Sequence, residues 1–278
     1  MQKVWLITGC STGLGRALAI HVLEKGDKVV VASRNTSDVE NIVNGYKDTA
    51  RVVKLDVTHI NEINSAVEKA VGNFGRIDVL VNNAGIGYFG ALEESEDAAV
   101  RRMFDINVFG LANMCKATLP VMRKQGSGHI INIASIAGLV GFPGISYYNG
   151  TKFAVDGMSE SLAKEVAHLG IKVSVVSPSG FRTDWAGRSA DEATGYISDY
   201  AESAHANIQN IRNSSGKQAG DPKRAAEAIF QLTETPKPPL HLLLGAAALK
   251  NARLKLESLQ ADYNAWAEWS NGADFPRE

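Results

Sequence analysis

An apolar strand that runs straight into a glycine-rich turn, and from there into a helix, opens the chain and limits what the rest can be. Lys3-Val4-Trp5-Leu6-Ile7-Thr8 reads as the strand and Thr8-Gly9-Cys10-Ser11-Thr12-Gly13-Leu14-Gly15 as the turn. Residues 16–25 then carry helical periodicity. A strand apolar at nearly every position must be covered on both faces, which a lone hairpin or a half-exposed sheet does not provide. Glycines in the turn permit tight geometry and close approach of the backbone to a ligand. Free N–H groups at the helix start, with the helix dipole behind them, attract a phosphate. Ser11 and Thr12 add hydroxyl donors. A glycine turn by itself is weak evidence, because many strand-to-helix connections bind nothing.

The same alternation repeats along the chain. Apolar runs at 28–32, 51–55, 77–81, 129–134, 171–176 and 240–245 read as further strands. Helical spacing separates them at 36–46, 60–74, 98–124, 148–168 and 221–233, and returns at 246–270. Strands alternating with helices predict an α/β fold: a doubly wound, mainly parallel seven-stranded sheet with helices on both faces. The whole of 1–278 reads as a single domain, interrupted by an insertion at about 184–220 in which no strand is evident. In the last helix, Leu249, Ala252, Leu256, Leu259, Tyr263 and Trp266 mark an amphipathic stripe expected to cover the core or a neighbouring subunit.

Charge and composition exclude several classes. With 29 basic and 30 acidic residues the net charge is −1, so no nucleic-acid surface is expected. No apolar run approaches the ~20 residues of a membrane span. Because the first strand begins almost at once, no cleaved signal is expected. Cys10 and Cys115 form neither a disulfide framework nor a metal-ligand spacing, so no metal is expected and a reducing, cytoplasmic setting fits.

A sheet of this type binds ligands beyond the carboxyl ends of its strands. The residues falling there are polar at strand end after strand end: Gly9 to Gly15, Ser33-Arg34, Asp56-Val57, Asn82 to Gly85, Ala134-Ser135 and residues 177–183. A second constellation is Ser135 with Tyr148 and Lys152. Tyr148 and Lys152 stand four apart at a helix start and share a face. An ammonium beside a phenol favours phenolate and lowers its pKa from ~10. Such a Tyr can exchange a proton with a hydroxyl or ketone oxygen, which Ser135 can also hydrogen-bond.

Together these motifs resemble the short-chain dehydrogenase/reductase family over residues 3–245. The matching positions are Thr8 to Gly15, Asp56, Asn82 to Gly85, Asn107, Ser135, Tyr148, Lys152 and Thr183. The resemblance implies a Rossmann-type NAD(P)-binding domain and hydride transfer between a nicotinamide cofactor and a carbonyl or alcohol. Tyr148 would be the acid/base, Ser135 the partner of the substrate oxygen and Lys152 the holder of the nicotinamide ribose. Asn107 would hold a water that continues the proton relay. Cofactor contacts are implied at Gly9, Ser11, Thr12, Gly13, Leu14, Gly15, Asp56, Val57, Asn83, Ala84, Gly85, Pro178 and Thr183. Two segments depart from the family: Asn149-Gly150-Thr151 stands where small residues are usual, and Pro178-Ser179-Gly180 replaces Pro-Gly.

Ser33 removes the acid that would repel a 2′-phosphate, and Arg34 can pair with one, so NADP(H) is expected over a possible NAD(H). The substrate pocket is expected from residues 86–91, 136–147 and 184–220. They bring Tyr88, Phe89, Leu139, Phe142, Trp185 and Tyr196, a lining suited to an apolar carbonyl or alcohol. Within the family, Gly9-Cys10-Ser11 and Phe181-Arg182-Thr183-Asp184 are similar to hydroxysteroid and retinol dehydrogenases. Ala154, Gly157 and Ser161 form a strip of small residues on the Tyr148 helix, and the family often dimerises there, so a homodimer or homotetramer is expected. Two other readings stay open: an NADP(H)-sensing binding protein without turnover, and a sugar-nucleotide epimerase, although only about thirty residues follow the last strand.

Overall fold

The computed structural model describes residues 2–187 and 189–275. The chain runs β1 (Val4–Ile7), α1 (Gly13–Glu24), β2 (Lys28–Ser33), α2 (Glu40–Val43), β3 (Ala50–Lys54), α3 (Ile60–Phe74) and β4 (Val79–Asn82). It continues through β5 (Gly87–Phe89), α4 (Asp97–Phe104), α5 (Leu111–Gln125), β6 (Gly128–Ile133), α6 (Ser146–Val166) and β7 (Ile171–Pro178). It closes with β8 (Ala190–Glu192), α7 (Ala206–Asn213), α8 (Pro222–Glu234), β9 (His241–Leu244), α9 (Ala246–Ala265) and α10 (Ala267–Asn271). Seven strands pair in the order β3-β2-β1-β4-β6-β7-β9, and every pairing is parallel.

Alternation along each strand decides the two layers. Leu6 and Val30 point to one face, where Val67 of α3, Met114 of α5 and Val155 of α6 cover them. Trp5, Ile7, Val29 and Val31 point to the other, against Leu18 and Val22 of α1 and Ile229 of α8. The expected doubly wound, Rossmann-type sheet is therefore present. Strand order reverses between β1 and β4, and the loops after β1 and β4 meet there. At the far edge β9 is tied back twice. His241 lies 3.6 Å from Asp156 and 3.3 Å from Glu160 of α6. Ser174 of β7 donates to the Pro239 carbonyl at 2.8 Å.

The fold departs from the sequence reading in four places. Residues 36–46 are not one helix but a 3₁₀ turn (Thr36–Asp38) followed by the short α2. The helix expected over 98–124 is interrupted by a π-helical turn, Asp105–Gly110. The insertion does contain a strand: β8 pairs with β5, Gly87 opposite Ala190. Ala-Asp-Glu has no strand propensity, and backbone pairing alone makes it one. The last helix buries Ala248 and, of the expected stripe, only Ala252, leaving Tyr263 and Trp266 exposed. Among the described residues no helix is long and apolar enough to cross a membrane.

Candidate active site

The turn after β1 is held by residues that the turn itself cannot supply. Thr8 Oγ1 accepts the N–H groups of Asn83 and Ala84, each at 3.0 Å. Asn83 Nδ2 returns two bonds of 2.9 Å, to the Thr8 and Gly9 carbonyls. Gly9 sits at φ +69, and a Cβ there would lie 2.9 Å from Ala84 Cα. A Cβ on Gly15 would collide with Asn83 Nδ2 and the Gly9 carbonyl. Gly15 thus serves the packing of α1 against the β4 loop, and it does not line the cavity described next.

That cavity, of about 1170 Å³, lies along the carboxyl ends of the strands. Gly9, Ser11, Thr12, Gly13 and Leu14 form its floor at the helix start. Ser33, Arg34, Asp56 and Val57 line one end, Asn83, Ala84 and Gly85 the middle. Ser135, Tyr148, Lys152, Pro178 and Thr183 close the other end. Every residue expected at the site is there except Gly15 and Asn107. Asn107 is 1% exposed on the π-helical turn. Its Oδ1 accepts from Ile86 N at 2.9 Å, and its Nδ2 donates to Ile86 O at 2.9 Å and Thr151 Oγ1 at 3.2 Å. Its side chain anchors the wall behind the cavity.

Tyr148 and Lys152 sit in the first two turns of α6, on one face, as their spacing requires. Lys152 Nζ lies 5.7 Å from the Tyr148 ring centroid and donates to the carbonyl of Ile133, the last residue of β6, at 2.9 Å. Ser135, two residues further on, accepts from Ala137 N at 3.1 Å. Both titratable groups are enclosed. Burial pushes the Tyr148 phenol up, with a hydrogen bond to Ser135 working in the opposite direction. Burial also pushes Lys152 down to about 8. The expectation that Lys152 holds Tyr148 below its ordinary value is not met here. The ammonium is bonded to Ile133 and desolvation dominates, so the phenol rests protonated. At the other end, burial would raise Asp56, but bonds from Thr58 and the charges of His59 and Arg34 hold its carboxyl below the usual value.

The wall above Tyr148 is apolar: Ile136, Phe142, Ile145, Trp185 and Ile211. Trp185 lies over the Tyr148 ring at 4.9 Å between centroids. Polar groups, among them Asn207, Ser214 and Gln218, sit at its margin. Of the six aromatic and apolar residues expected there, Phe142 and Trp185 line the cavity. Tyr88 and Phe89 are buried behind it, Leu139 packs toward α9, and Tyr196 is 70% exposed and stacks on His205.

Several positioning groups escape a reading of motifs. Asn149 donates to the carbonyls of Ala137 and Val140 at 2.8 and 2.7 Å, fixing the loop that carries Ser135 to the helix that carries Tyr148. Thr151 Oγ1 donates to the Tyr148 carbonyl at 2.8 Å. These fill the Asn-Gly-Thr segment that departs from the family pattern. Glu94 accepts from Ala91 N, Ile197 N and His205 Nε2. Arg212 donates to the carbonyls of Ala186, Gly187 and Ala190 and to Glu192. Their polar side chains were the only sequence signal.

The short chain dehydrogenase family model matches residues 3–194. An oxidoreductase of Botryotinia fuckeliana, BOA17, is 39% identical over 272 residues, 97% of this chain and 98% of its own length. The crystal structure of a short-chain dehydrogenase from Streptomyces avermitilis superposes with a TM-score of 0.93 at 40% identity, covering 99% of this chain and all of that one. A short chain dehydrogenase/reductase from Burkholderia phymatum in complex with NAD gives 0.83 at 26% identity, over 94% and 95% of the two chains. ElxO with NADP bound gives 0.71 at 30% identity, over 88% and 96%. With its parallel sheet, its glycine turn and a Ser–Tyr–Lys set gathered at one cavity, the chain belongs to the short-chain dehydrogenase family.

Proposed function

We propose that the chain is an NADP(H)-dependent oxidoreductase that interconverts a ketone or aldehyde with an alcohol, on an apolar substrate, using Tyr148 as acid/base. The observation that carries this reading is the convergence of Ser135, Tyr148 and Lys152 under an apolar wall, in the same cavity as the β1–α1 turn. The residues fit a dinucleotide. The turn leaves no room for a side chain at Gly9, and the start of α1 has no acid in its first turn to oppose a phosphate. A nicotinamide cofactor held there supplies or accepts the hydride.

The chain's own groups handle the oxygen. In reduction, the protonated Tyr148 hydroxyl donates to the carbonyl oxygen as negative charge develops on it, and in oxidation it takes that proton back. Ser135 Oγ holds the same oxygen and stabilises the developing charge. Lys152 keeps its charge below about pH 8 and would hold the nicotinamide ribose. Trp185, Phe142 and Ile145 exclude water and favour an apolar body on the carbonyl. Arg34, at the end lined by Ser33, would pair with a 2′-phosphate. Asp38, which also lines the cavity, accepts from Asn35 Nδ2 at 3.3 Å. Phe109 and Phe153, 58% and 45% exposed, support self-association as a homodimer or homotetramer. Two buried thiols, Cys10 and Cys115, are at home in the reducing cytoplasm.

The test is NADPH oxidation over a panel of apolar ketones and aldehydes, with Tyr148→Phe beside the wild type. Turnover by the wild type, reduced at least a hundredfold in the variant, is expected. NADPH bound tightly with no turnover on any carbonyl, or on the matching alcohols with NADP⁺, would favour a cofactor-sensing protein instead.

A further inference from the structure

The last helix breaks rules that a helix in water normally obeys. α9 packs on the body only through its first turns, where Ala248 and Ala252 are buried with Ile136 and against Leu243. From residue 260 to 275 every residue is exposed. That projecting half carries Tyr263, Trp266 and Trp269, and an isolated helix of such length is marginal in water.

Its charge order is also reversed. Within α9, Lys250, Arg253 and Lys255 precede Glu257 and Asp262, and the acidic run continues past its end with Glu268 of α10 and Asp274. The helix dipole favours the opposite order, yet α9 has no acid in its first turn and no base in its last. The apolar spacing is equally particular. Leu249, Ala252, Leu256, Leu259, Tyr263 and Trp266 follow one another at alternating steps of three and four, the seam of a helix that pairs with another helix. Beside the buried Ala252, Leu249 and Leu256 are left 42% and 67% exposed.

We propose that this arm pairs two copies of the chain. α9 of each copy lies antiparallel on α9 of the other, with Trp266 of each seated over Leu249 of its mate and Leu256 of each over Leu259. Antiparallel order brings the basic half of each helix against the acidic half of the other, twice by two-fold symmetry. A parallel pair would set like charges side by side. The charge order that is unfavourable along one helix thus becomes attraction between two, and the unaccompanied aromatic seam is covered.

The experiment uses the full chain carrying both Leu249→Cys and Trp266→Cys. These positions lie about 25 Å apart along one helix, so a disulfide joining them forms only between copies. The native Cys10 and Cys115 are buried and do not compete. Mild oxidation is expected to give a covalent dimer whose peptide map joins positions 249 and 266. In the cysteine-unaltered background, reversing Lys250, Arg253 and Lys255 to Glu should weaken self-association at least about tenfold in sedimentation equilibrium. Adding Asp262→Lys and Glu268→Lys should restore it. Absence of the 249–266 link overturns the proposal. So does an assembly indifferent to the charge reversals, or an arm that binds anionic phospholipid vesicles while the protein sediments as a monomer.

Discussion

Arg34 and Asn149 show how single residues set the two halves of the cavity. Arg34 lines the cavity beside Ser33, and its charge helps to hold the Asp56 carboxyl low. Arg34→Ala should lower the preference for NADPH over NADH by at least tenfold, the loss of one charge-assisted bond of about 1.5–3 kcal/mol; the ratio of dissociation constants by fluorescence titration measures it. Asn149 is 7% exposed and holds two carbonyls of the Ser135 loop. Asn149→Ala leaves both short of a partner and should cost about 2–3 kcal/mol by denaturant unfolding, with a larger fall in kcat/KM because Ser135 loses its register with Tyr148. The difference between these residues explains what a sequence discloses. Tyr148 and Lys152 were legible because helical spacing puts them on one face, and Arg34 because it ends a strand. Asn149 bonds to backbone carbonyls nine and twelve positions away, and nothing in residue identity reports which carbonyls a loop will present. Asn83 and Asn107 were legible as positions, yet the geometry gives their side chains to backbone groups: Asn83 to Thr8 and Gly9, Asn107 to Ile86.

Among the elements, the buried strands were the easiest to read, because burial on both faces leaves an apolar run that no loop would tolerate. Their mutual fastening was not. His129 of β6 is 5% exposed, with Nε2 3.0 Å from Ser174 Oγ of β7. The Ser174 hydroxyl hydrogen goes to the Pro239 carbonyl, so His129 Nε2 must be the donor. Burial, aided by Lys172 and Lys3, pushes His129 down to about 4. Its folded value is thus lowered, and the folded state holds the ring neutral while the unfolded chain protonates it near 6.5. Stability from this group is complete above pH 6.5 and is lost as pH falls toward 4, by about 3 kcal/mol at most. Unfolding free energies at pH 7.5 and 4.5 should differ less in His129→Asn than in wild type by an amount of that order. The short elements were hidden for the opposite reason. β8 exists only because β5 offers it a row of backbone groups, and the π-helical turn only because α4 and α5 continue through it, so neither leaves a pattern of its own.

Over the whole molecule, the cavity is built by two bodies of different character. The half proposed for the cofactor rests on seven paired strands, and its residues are fixed by a sheet buried on both faces. The half proposed for the substrate is formed largely by the insertion, and it is tied down by a few charged groups. Glu94, with its side chain 2% exposed, gathers Ala91, Ile197 and His205. Arg212, at the end of α7, spans Ala186, Gly187, Ala190 and Glu192 while its guanidinium lies 4.4 Å from the Phe89 ring centroid. These carbonyls flank Trp185 and begin β8, so Arg212 fixes the wall that covers Tyr148. None of its hydrogen bonds to the described residues reaches the β1–α1 turn or the strand ends beside it. Arg212→Met keeps the length of the side chain and removes the donors. It should raise KM for the carbonyl at least tenfold, while the dissociation constant for NADPH stays within about twofold, because the two halves share a cavity but not their supports. Steady-state kinetics and NADPH titration on the same preparation separate the two effects. A parallel loss of NADPH affinity would mean that the insertion and the sheet fold as one cooperative unit, and that Arg212 supports both.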